Sequence, residues 1–174
     1  MTFSNRRDVA VHEAAHAVVG HEVGGTVLSV DIGGGPEKSR RASINWSIDP
    51  ATLAKIDWLN EAESEKALAA VREIITCLVA GEVAEKEFKP DMQLLSHRIN
   101  DVHFAHGGKI GADRDTLVWL LCQVQRPDIA EVRQAEERAK AILVDREARM
   151  KAIADRLVTS GYIEGEELSA ALNL

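Results

Sequence analysis

The sequence predicts a mainly helical α+β fold with a small β-hairpin or sheet beside its first helix. Three observations carry this. Apolar residues recur at helical spacing from Glu61 to about Phe88 and again from Pro127-Asp128 to about Val158. Two short alternating runs, Thr26–Ile32 and Ala42–Ile48, flank Gly33-Gly34-Gly35-Pro36 and a polar stretch, Glu37 to Arg41. With 174 residues, 45% hydrophobic and 28% charged, the chain suits one domain, residues 1–174, with a real core.

The first helix is expected to start near Ser4 or Asn5, either of which can cap it, and to end by Gly20 or at the latest near Gly24-Gly25. It contains His12-Glu13-Ala14-Ala15-His16. At 100° per residue, His16 lies about 40° round the helix from His12, one turn on, so two imidazoles share a face and can hold one metal ion. Glu13 stands about 60° further round than His16, flanking the metal as a general base must. His21 lies roughly 140° from His16 and points elsewhere. The continuation that would make a metzincin is absent, with Val19 and Glu22 at the relevant places.

The glycine run resembles a phosphate loop only superficially, because Glu37 stands directly before Lys38 where glycine is required. A flexible hairpin connection is the expectation. The 42–48 strand offers an edge on which an extended peptide can add. Ala51 to Asn60 reads as a short, weakly helical segment with Trp58 turned inward, and Glu61 to Phe88 as one long helix. Glu82 and Glu85 near its end are fallback metal ligands, with solvated carboxylates as the plainer reading. A short helix is expected through Leu94 to Phe104, and His97, His103 and His106 are candidate transition-state donors from this region. Asp113 and Asp115 open the apolar helix that follows, where either can cap it. A catalytic zinc needs three protein ligands and one open position, and Asp115 is the candidate for the third. The long charged helix ends at Ser160-Gly161, Tyr162-Ile163 links onward, and Gly165–Leu172 closes the chain as a short helix.

The net charge of −7 and pI near 5.4 argue against general nucleic-acid or anionic-membrane binding. No apolar run has the length of a membrane span, and the segment after the basic N-terminus carries His12, Glu13 and His16, unlike a signal peptide. Cys77 and Cys122 lie far apart in apolar helical patterns, so two buried, reduced thiols and a cytoplasmic setting are expected.

In these motifs the chain resembles the peptidase domain of the FtsH family, peptidase family M41. The family's His-Glu-Ala-Gly-His-Ala is matched by His12 to Ala17, with Ala15 in place of glycine. Its Leu-x-Gly-x-x-Ala-Glu is matched by Leu78 to Glu85 with one extra residue, and its Gly-Ala-x-x-Asp-Leu by Gly111 to Thr116. Residues 139–143 through 164–168 resemble its C-terminal helices. The resemblance implies a zincin-like zinc metallopeptidase with His12, His16 and Asp115 as ligands and Glu13 as general base. It implies a polypeptide substrate lying beside the 42–48 strand and a ring-like homo-oligomer. His106 and Arg114 are the guesses for a second oxyanion donor. These 174 residues include no AAA ATPase module and no P-loop. The expectation is therefore a stand-alone peptidase of unfolded chains or peptides, or a peptidase subunit fed by a separate ATPase. A non-catalytic zinc-binding interaction module is the alternative.

Overall fold

Helix α1, Arg6–Glu22, is buried without interruption from Val9 to Gly20 in the computed structural model of the chain, which describes residues 6–38, 40–88, 102–103, 109–110, 113–123 and 129–174. A helix buried all round must be surrounded, and the small side chains of Ala10, Ala14, Ala15 and Ala17 let neighbours approach it closely. It ends as glycine requires. Gly24 takes φ +98°, its N–H bonds to the His21 carbonyl, and the Gly25 N–H reaches the Gly20 carbonyl at 2.8 Å. This Schellman pattern satisfies the last carbonyls and turns the chain into strand β1, Thr26–Ile32.

Strand β1 is the centre of a three-stranded antiparallel sheet. On one side it pairs with β2, Arg40–Asn45, with Val30 opposite Ala42. On the other it pairs with β5, Tyr162–Glu164, with Val30 opposite Ile163. Two expectations are corrected here. The second strand starts at Arg40 and ends at Asn45 rather than covering Ala42–Ile48, and Tyr162-Ile163 is a strand rather than a link. The glycine loop between β1 and β2 is pinned: one Asp31 oxygen accepts the N–H groups of Gly33, Gly34 and Gly35 at 2.8–2.9 Å. Those donors hold an internal carboxylate, which also explains why they form no phosphate cradle.

A 3₁₀ turn at Pro50–Lys55 leads to α2, Glu61–Leu78, capped by the Asn60 side chain, and then to α3, Ala80–Phe88. The single long helix expected over 61–88 is thus broken at Val79. The strand β3, Val102–His103, pairs with β4, Lys109–Ile110, where part of a short helix was expected; the rest of the Leu94–Phe104 expectation lies outside the described residues. Then come α4, Asp113–Gln123; α5, Ile129–Asp145; α6, Glu147–Ser160; and α7, Gly165–Leu172. The long C-terminal helix is also divided, at Arg146, whose guanidinium reaches Glu22 at the end of α1, 3.0 Å away. Helices α2, α3 and α6 and the sheet surround α1. Their core is made of Val18, Val30, Ile74, Ile75, Leu143, Met150, Ile153, Leu157 and Ile163. Trp58 packs against this core. Cys77 is buried as expected, whereas Cys122 is exposed. Among the described residues no helix is long and apolar enough to cross a membrane.

Candidate metal centre

The middle of α1 carries the buried polar residues of this helix. His12, Glu13 and His16 are all buried, at 1%, 3% and 7% exposure. Helical spacing brings the Nε2 atoms of the two histidines to 3.1 Å from each other. Asp113, the first residue of α4, brings its Oδ2 to 3.4 Å from His12 Nε2 and 3.3 Å from His16 Nε2. The three atoms form a nearly equilateral triangle. Bonds of about 2.0–2.1 Å to a tetrahedral zinc would place its donors roughly 3.3 Å apart, so the donor set fits such an ion.

The outer face of each imidazole decides its tautomer. His16 Nδ1 donates to the Cys77 carbonyl at 2.8 Å, and a carbonyl can only accept. His12 Nδ1 lies 2.6 Å from Oε1 of the buried Glu85. Both contacts turn the Nε2 lone pairs inward, as metal-binding histidines require. Two lone pairs and a carboxylate oxygen at this range repel unless a cation shares them. Without a metal the cation is a proton. Burial opposes the charged His12 ring, but the Asp113 and Glu85 carboxylates outweigh it and raise its pKa to about 9. Burial likewise opposes the charge on His16, and Asp113 lifts it well above the usual range. Asp113 resists the upward push of burial and is held well below the ordinary carboxylate range by the two rings. Burial raises Glu13 to about 6 against the pull of both histidines, and the backbone of Ala42 hydrogen-bonds its carboxylate.

The structure brings Asp113, not the expected Asp115, to the two histidines. Asp115, two residues along α4, is exposed, while Asp113 completes the only such group of potential ligands among the described residues. Glu85 is corrected: it is 2% exposed, not solvated, and holds His12 from behind rather than joining the triangle. Glu82 pairs with Lys86. His97 and His106 lie outside the described residues, as do the side chains of His103 and Arg114. Sequence reasoning preferred Asp115 to Asp113, because both aspartates occupy the first turn of a helix whose next seven residues include no charge. A usable signal was the spacing Asp113, Thr116, Leu120, one face of α4 on which Thr116 and Leu120 are fully buried.

The described residues thus define a helical α+β protein with a cluster of two buried histidines and one partly buried carboxylate, flanked by a second, buried carboxylate. No protein-family model matches this chain, and no curated protein matches it significantly.

Proposed function

We propose that this chain is a zinc-dependent metallopeptidase with a zincin-like fold of the FtsH peptidase type, holding its ion through His12, His16 and Asp113. The observation that carries the reading is the triangle of inward-facing donors with edges of 3.1, 3.3 and 3.4 Å, built beside a carboxylate that is not part of it. Three protein donors leave a tetrahedral ion one position for water or substrate. Zinc, when bound, supplies Lewis-acid polarisation of the attacking water and of the peptide carbonyl. Glu13 accepts the proton of that water and delivers it to the nitrogen of the leaving amine. Glu85 and the Cys77 carbonyl keep the imidazoles in the required tautomer throughout. The polypeptide substrate lies extended along β2, whose Ala42 already meets Glu13.

The test is cleavage of an unfolded protein by the purified, zinc-loaded chain without ATP. Glu13→Gln is expected to bind zinc normally and to lose about 100-fold or more in rate, the usual share of a general base. Equal rates for the two proteins would overturn the reading. The near-complete burial of Glu13 favours one second reading, a zinc-binding interaction module without turnover. Zinc bound with no cleavage, and no cleavage on adding a copurifying ATPase, would select it.

A further inference from the structure

Gly81, the second residue of α3, lies directly against the two imidazoles. A Cβ placed on it would fall 2.4 Å from His12 Cε1, 2.4 Å from His12 Nε2 and 2.6 Å from His16 Nε2. Carbon atoms do not approach so closely, and the three nearest atoms are all ring atoms that point into the site. The backbone does not call for glycine here, because Gly81 is absent from the positive-φ glycines. Glycine inside a helix also weakens it relative to alanine. Gly20 makes a useful contrast: its added Cβ would meet the far end of the Ile44 side chain, which can move aside.

We propose that Gly81 is the residue that sizes the metal site: its missing side chain is the space in which the two Nε2 donors converge on one ion. From Gly81, Glu85 is one turn on and stands behind His12. Position 81 therefore selects between an ion shared by two histidines and an ordinary apolar helix contact. The ion rests on the metallopeptidase reading above; the crowding of the rings does not.

The experiment compares Gly81→Ala in two backgrounds, wild type and the double variant His12→Ala/His16→Ala. Zinc affinity is measured by competition with a chromophoric chelator, and the midpoint of thermal unfolding is measured without metal. In wild type, Gly81→Ala is expected to weaken zinc binding about 100-fold, at the upper end for a residue that acts through the ligands, and to lower the melting temperature. With the rings removed, the same substitution is expected to raise the melting temperature by about 2 °C through helix propensity alone. If Gly81→Ala fails to fold while the triple variant folds, the rings are the obstacle and the proposal stands. Zinc affinity within about 3-fold of wild type would overturn it. So would the same sign of melting shift in both backgrounds, or failure of the triple variant to fold. Absence of zinc binding by the wild type itself would sink the metallopeptidase reading, while the reversal of sign would still report on the crowding.

Discussion

Helices α1 and α4 meet at one triangle of donor atoms, yet they reach it under different rules. Helix α1 is buried all round over twelve successive residues, Val9 to Gly20, so each polar side chain in that span is committed to the interior. Helix α4 has an inside and an outside. Asp113, Thr116 and Leu120 face in, while Asp115, Val118 and Cys122 are exposed. On a fully surrounded helix, spacing alone decides which residues can act together. On a one-sided helix, two carboxylates in the same turn have opposite fates.

The sharpest way to break that comparison is at the two aspartates. Asp113→Asn is expected to lower zinc affinity by more than about 100-fold, beyond what loss of an indirect partner costs. Asp115→Asn should leave it within about 2-fold, as exposed substitutions away from such features usually do. Chelator competition reads both, and a reversed order would move the third donor to Asp115. The next test concerns packing. Ala17 is fully buried on α1, and Ala17→Leu is expected to destabilise the protein by about 1–3 kcal/mol, because the added atoms have no space. Val118, 59% exposed on α4, should tolerate Val118→Ala within about 0.5 kcal/mol. Urea unfolding of the two variants measures the contrast.

The smallest effect is expected at the far end of α1. Glu22 accepts from Arg146, and also from Arg149, and these partners outweigh a modest burial to lower its pKa. A carboxylate with a depressed folded pKa stabilises the fold fully above its unfolded value, and that contribution disappears as pH falls through the folded one. Glu22→Gln should therefore cost about 0.5–1 kcal/mol at pH 7, and the difference from wild type should shrink on acidification below the ordinary carboxylate range and vanish once pH passes the lowered folded value. A difference that persisted or grew in acid would contradict the ion-pair account.

Much of the fold was legible. The helix over His12 and His16, the strand Thr26–Ile32 and the closing helix Gly165–Leu172 stand where the residue pattern places them. The divisions at Val79 and Arg146 were not legible, since the apolar spacing runs through both. At Arg146 the division comes with a distant partner: its guanidinium turns to Glu22, 124 residues away in the chain. Strand β5 was hidden for a similar reason. Three residues, Tyr162–Glu164, are too short for an alternating pattern, and they form a strand because β1 offers an open edge. Glu85 read as a solvated carboxylate because nothing local announces that His12, 73 residues earlier, lies beside it.

The sequence by itself determined the pair His12 and His16 and the carboxylate of Glu13 beside them, because positions along one helix are set by its own 3.6-residue turn. Only the tertiary structure decided that Asp113 rather than Asp115 completes the cluster, that Glu85 and the Cys77 carbonyl orient the two rings, and that position 81 has to be empty of a side chain. Those choices depend on which face one helix turns to another and how closely they approach, and no spacing along a single segment contains that information.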